Sequence, residues 1–346
     1  MLLNTDERFK KKTVLSFICA VMVLYIHADN TAQYSLNLNS LLGKVVYFIE
    51  TDLLENVTMV AVPFFFLLSG VFFFKNYSWN KLLDKYKSRI KSLLIPYLVW
   101  NAFYVVMAIL FNVLPYVSAF VSDSWKMNPI NFKNIAEGLF FYKYHSVYWF
   151  LFQLILFITI SPVLFALLKN KILGLCIIII LLFSPVYSQN VQLVNLEQLF
   201  YFFLGGFLGY HYFTIVITAN INKKKRMMAV AGFIILLLID KMTGANPIWH
   251  RVVIVAYIAV LVYGIDLFGK IQTAKYMSYT FFIYSSHLFV LSMLKLLFRK
   301  NLPETELFAL LNFLLLPVIA LVIIILIANL LKKGFPKLFS ILNGGR

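Results

Sequence analysis

Charge is what this sequence has least of. Only 13% of its 346 residues are Asp, Glu, Lys or Arg, while 62% are hydrophobic, against roughly 45–50% in an ordinary soluble domain. A soluble globular protein is thereby excluded, and a polytopic membrane protein remains. Cysteine is nearly absent: Cys19 and Cys176 both lie inside apolar runs, which leaves no disulfide framework and no metal-ligand spacing, and no metal is expected. Acidic residues are few, 14 against 31 Lys and Arg. In a soluble chain the resulting net charge of +17 would point to nucleic acid; in this one the basic residues are read against a bilayer, and no nucleic-acid partner is expected. Also lacking are a small-residue cleavage site after the first apolar run, an internal duplication, and a connection long enough for a separate soluble domain. The first run is therefore expected to stay as an anchor, and a transporter built from inverted repeats is disfavoured.

What is present is a series of apolar runs. A bilayer core of about 30 Å takes roughly 20 apolar residues per helix, and that window places ten spans at 13–29, 57–75, 93–114, 147–168, 172–188, 197–214, 227–241, 251–269, 277–296 and 306–331. With the N-terminus inside, every inner segment carries Lys or Arg, from Lys10–Lys12 at the start to Lys332, Lys333 and Lys337 at the end, and together these segments hold most of the basic residues. Short cytoplasmic loops hold such an excess. The expectation is an all-α bundle of about ten transmembrane helices, one integral-membrane domain over residues 1–346, both ends cytoplasmic.

Polar residues within the spans are few. The first, TVLSFICAVMVLYIHADN, carries His27 about fourteen residues, or some 21 Å at helical rise, from its basic inner edge. The ninth, SYTFFIYSSHLFV, carries His287 about ten residues and 15 Å in. An ionisable group inside a span is costly and marks function more often than elsewhere; an inert interfacial histidine is the plain alternative. At these depths the two imidazoles can line one cavity. Ser69, Tyr97, Trp149 and Gln153 join His287 as groups able to orient a base or a carbonyl oxygen, each being more often a packing residue. Gly70, Gly205, Gly206 and Gly209 read as close helix contacts, and His145, His211 and His250 as interfacial packing. At the inner face, KNYSWNKLLDKYKSRIKSLLIPYLVW repeats its cations at helical spacing, with Lys85 and Arg89 in one row and Lys87 and Lys91 in another. Such a face suits anionic membrane lipid or an anionic cofactor.

In chain order, VLYIHA, PFFFLLSGVFFF, RIKSLLIPYLVW, HSVYWFLFQLILF, YFFLGGFLG and SYTFFIYSSHLFV resemble the acyltransferase type 3 family, membrane enzymes that O-acylate envelope polysaccharides. The resemblance implies that His27 is catalytic. It also implies that Arg89, with Lys85, Lys87 or Lys91, forms a cationic site for acyl-CoA, acetyl-CoA foremost, in a bacterial cytoplasmic membrane. The acceptor would be a polysaccharide or its lipid-linked precursor. One position departs from the pattern: Ser16 stands where the family often has arginine, and Lys12, one turn earlier on the same face, is a possible substitute. A hydrolase-like extra domain found in many members is missing. His27 would serve as general base toward a sugar hydroxyl or as a nucleophile forming an acyl-imidazole; the residues do not separate these. The rival reading is a glycan-precursor exporter without acyl-transfer chemistry.

Overall fold

The computed structural model describes the chain apart from residues 1–4, 30–35, 115–122, 186–192, 214–221, 243–245, 266–271, 302, 304 and 346. The described residues form helices and no strands, as expected where lipid offers the backbone no hydrogen-bond partner. In chain order they are α1 (Thr5–Ile26), α2 (Leu41–Tyr47), α3 (Leu54–Thr58), α4 (Ala61–Phe74), α5 (Leu82–Arg89), α6 (Ile95–Val113), α7 (Phe132–Phe140) and α8 (Trp149–Thr159). There follow α9 (Ser161–Leu168), α10 (Lys171–Leu182), α11 (Leu196–His211), α12 (Lys223–Met242), α13 (Pro247–Gly264), α14 (Thr280–Asn301), α15 (Glu306–Gly334) and α16 (Pro336–Leu342).

Each of the ten expected apolar runs contains a helix, although the far ends of the fifth, sixth and eighth fall outside the described residues. By length and apolarity alone, five helical stretches among the described residues can cross a bilayer, among them Leu41–Phe74, Trp79–Val113 and Glu306–Gly334. A sixth results if α8 and α9, bent by 64° at their junction, count as one. The bend has a local cause. Proline stands in the first turn of α9, where it has no N–H to donate to the preceding turn.

The chain divides into two compact units, and α1, α3, α5 and α8 each have residues in both. The first holds residues 1–19, 58–85 and 156–277. Its centre is the pairing of α4 with α11, and glycine makes this possible. A Cβ on Gly70 would stand 2.1 Å from the Phe202 carbonyl oxygen, and one on Gly205 would stand 2.0 Å from that of Leu67. The two backbones touch, as small residues allow in membrane helices. Around the contact Phe157 packs on both Phe66 and Phe202. Arg251, fully buried, closes the end of α10: its Nη1 donates to the carbonyls of Leu181, Leu182 and Ser184, the orphan acceptors of a helix C-terminus.

The second unit holds residues 20–57, 86–155 and 278–346. Here α14 packs along α15, and α7 packs on α6. Asn131 caps α7 by accepting from the Asn134 amide, and Asn101 of α6 donates to the Leu139 carbonyl. The short α16 is tied back at its end: the Asn343 side chain accepts from the Phe282 amide, and Trp100 Nε1 donates to the Leu342 carbonyl. These ties fix the start of α14, the helix that carries His287.

Candidate active site

His27 lies just past the last turn of α1, its amide donating to the Val23 carbonyl at 3.3 Å. The end of α1 is held on α15 through Tyr25, whose hydroxyl donates to the Leu314 carbonyl and whose ring meets Phe313 edge-on at 5.9 Å. Facing His27, two turns into α14, is His287. The two imidazole centroids are 5.2 Å apart with the rings tilted by 40°. The sequence placed both histidines at depths that let them share a cavity, and the second unit brings them together.

His287 is completely buried. Its Nδ1 stands 2.5 Å from the Tyr284 carbonyl oxygen, and because a carbonyl only accepts, Nδ1 carries the proton. Nε2 therefore holds the lone pair of the neutral ring, and it is buried without a hydrogen-bond partner. Neighbouring hydroxyls are all engaged. Tyr148 donates to Ser285 Oγ at 2.7 Å, Tyr284 to the Val147 carbonyl, and Ser286 to the Phe282 carbonyl.

His145 joins this group, which the sequence did not suggest. It is stacked between Tyr104 and Tyr148, with ring centroids 3.7 Å away on each side. Burial holds its imidazole well below the usual titration range of histidine. Tyr97 extends the aromatic wall: it stacks on Tyr148 and donates to the Phe140 carbonyl at 2.8 Å. Lys295, two turns beyond His287 on α14, also went unnoticed. Its ammonium donates to the Asp29 carbonyl at 2.7 Å, two residues past His27. The only sequence signal was its spacing of eight residues from His287, which keeps both on one helix face.

The remaining candidates are distributed as follows. Gln153 is buried and Trp149 half-buried in the second unit. Arg89 is half-buried, and Lys87 and Lys91 are exposed. Ser69, Ser16 and Lys12 belong to the first unit and are half-buried. Lys12 and Lys11 border an open apolar cleft walled by Leu15, Phe64, Val71 and Ile258. Lys85 also belongs to the first unit, where its ammonium donates to the carbonyls of Phe73 at 2.5 Å and Lys75 at 3.1 Å, at the end of α4. That contact suits a cation at a helix C-terminus. Among the described residues no group of three or more His, Cys, Asp or Glu is placed to hold a metal.

A buried imidazole with a backbone-fixed tautomer, facing a second imidazole just past the end of the first apolar helix, is a layout for proton transfer. Comparison with known proteins assigns the reaction class, for the acyltransferase type 3 model, described as an acyltransferase domain, matches residues 14–331. The chain belongs to the acyltransferase type 3 family. It is a multi-pass membrane acyltransferase, transferring groups other than amino-acyl groups. No curated protein and no solved structure gives a match to it. The match begins one residue after Thr13 and so takes in α1 from there to its end, His27, and α14 with His287.

Proposed function

We propose that the protein moves an acyl group, acetyl foremost, from cytoplasmic acyl-CoA to a hydroxyl of an exported polysaccharide or its lipid-linked precursor in the bacterial cytoplasmic membrane. The observation that carries this reading is the pairing of His27 with buried His287 inside a chain of acyltransferase family. His27 takes the proton of the sugar hydroxyl as its oxygen attacks the thioester carbonyl, and returns it to the departing CoA sulfur. Arg89, with Lys87 and Lys91 on the same basic stretch, pairs with the CoA phosphates through charge-assisted hydrogen bonds. Lys85, in the same run, keeps its ammonium on the carbonyls that end α4. Lys12, at the basic edge of α1, stands in for the arginine that Ser16 replaces.

The test is O-acetyl content of surface glycan in cells lacking the gene, complemented with the natural chain or with His27→Ala at equal membrane level. Acetyl esters with the natural chain and none with the substitution support the reading. Equal acetylation in all three strains defeats it, and loss of the glycan itself points to export instead.

A further inference from the structure

The role of His27 as base leaves its own orientation unexplained. An imidazole that accepts a proton on one nitrogen must do something with the other, and in a buried site that second N–H needs an acceptor. Apart from the carboxylates of Asp29 and Glu50, which lie beside Lys295, the described residues of the second unit supply few around His27. Lys295 is a donor, and its ammonium already points to the Asp29 carbonyl. Tyr284 and Tyr148 donate elsewhere, to the Val147 carbonyl and to Ser285. His145 faces Tyr104 and Tyr148 with its ring planes. His287 Nε2 is different: it carries a lone pair by the tautomer argument, is buried, and accepts nothing.

We infer that His287 is the positioning residue for His27, its Nε2 accepting the N–H of His27 while the Tyr284 carbonyl locks the His287 ring from behind. The inference rests on the proposed acyl transfer and deepens it. At 5.2 Å between centroids, nitrogen meets nitrogen at the usual hydrogen-bond distance of roughly 3 Å when each ring turns one nitrogen along the line joining them. The chain Tyr284 C=O···H–Nδ1 of His287, then Nε2···H–N of His27, leaves the other His27 nitrogen unprotonated and turned to the substrate. The step then balances. The acceptor O–H proton passes to that nitrogen as oxygen bonds to the thioester carbon. His27 becomes imidazolium with its second N–H held by His287. Collapse breaks the carbon–sulfur bond and the proton leaves with the thiol, returning both rings to their starting states. His287 never changes its proton count, so it acts through His27 and not on the substrate. The charged groups bordering the pair are Lys295 on α14 and, beside Lys295, Asp29 and Glu50.

The experiment compares the natural chain with His287→Leu, His287→Gln and His27→Ala in membranes containing the glycan, using acetyl-CoA as donor. Two quantities are read: kcat against KM for acetyl-CoA, and the pH dependence with which diethylpyrocarbonate modifies His27, followed by mass spectrometry of its peptide. His287→Leu removes the acceptor, so kcat falls about 100-fold with KM within twofold, and the midpoint of His27 modification moves to lower pH. His287→Gln, whose amide oxygen accepts, restores part of both. A side chain that only fills space would be replaced by leucine without moving the midpoint. An unchanged midpoint and kcat in both variants, with His27→Ala inactive, overturns the pairing alone. An active His27→Ala overturns the acyl-transfer role of His27 itself. Should His287→Leu fail to assemble, judged by size-exclusion in detergent, His287→Asn, too short to reach His27, is read in the same way.

Discussion

A histidine that stays neutral inside a protein resists acid at the expense of the fold. His145 is such a residue, its ring buried between two tyrosines and its basicity depressed by that burial. Its folded pKa lies below the unfolded value near 6.5, so on acidification the unfolded chain takes up a proton before the folded chain does. Stability is then intact above about pH 6.5 and declines as pH falls below it, by up to about 1.4 kcal/mol per unit for one group. Melting temperature in detergent is expected to drop between pH 6.5 and 5, and His145→Phe, which keeps the stack without the titration, is expected to flatten that drop. A slope identical in the two chains would remove His145 as its origin. Also at this scale, Tyr148→Phe strands Ser285 without its donor, at about 1 kcal/mol, read as a lower melting temperature. His27 and His287 were legible in the sequence because charge and polarity are so scarce in their spans. His145 and Lys295 were not, since a histidine or lysine near a span end is usually interfacial, and only the folding back of α14 beside α6 and the end of α1 gives these two their neighbours.

Among the helices, the closest approach is that of α4 to α11, and it depends on absent side chains. Replacing Gly70 by valine puts carbon where the Phe202 carbonyl stands; backbone cannot yield as a flexible side chain can, so the two helices must separate. The expected result is loss of monodisperse protein on size-exclusion, whereas Gly232→Val on α12, where nothing lies within 4 Å, leaves the profile unchanged. The glycines of YFFLGGFLG were legible as helix contacts because membrane helices pack through small residues. Their partner was not, since periodicity names a face and never says which helix meets it. Lys85 makes a related point. Its spacing from Arg89 read as a cofactor face, yet its ammonium meets the carbonyls that end α4. Lys85→Met is expected to lower the melting temperature by the loss of about 1 kcal/mol of helix-end stabilisation, with KM for acetyl-CoA little changed. Arg89→Gln is expected to raise that KM at least several-fold. The reverse pattern in the two variants would exchange their roles.

At the level of the whole chain, hydropathy announced the helices but not their number of crossings. All ten apolar runs carry helix, yet by length and apolarity five or six stretches qualify among the described residues, because α11 is 16 residues long, α10 is 12, α1 carries Lys10, Lys11 and Lys12 in its first half, and α12 opens on Lys223, Lys224, Lys225 and Arg226. Charge distribution is the better guide to sidedness. Single cysteines introduced at Lys75, Lys224 and Lys333, in a chain with Cys19 and Cys176 replaced by serine, are expected to react with a membrane-impermeant maleimide only after permeabilisation. One at Lys143 is expected to react in intact cells. Labelling of Lys224→Cys from outside would contradict the ten-span arrangement with both ends inside. That arrangement matters for function, since it puts the basic stretch with Arg89 on the side where acyl-CoA is found.

The central claim is that the protein transfers an acyl group from CoA with His27 as the base, and inside-out membrane vesicles test it most directly. Acetyl-CoA carrying a labelled acetyl group is supplied to their cytoplasmic face, and label is counted in alkali-labile esters of the glycan fraction. Vesicles with the natural chain are expected to accumulate label with time. Vesicles with His27→Ala, at equal protein level, are expected to fall to the background of vesicles without the protein. Ester label accumulating at the natural rate in His27→Ala vesicles would contradict the account.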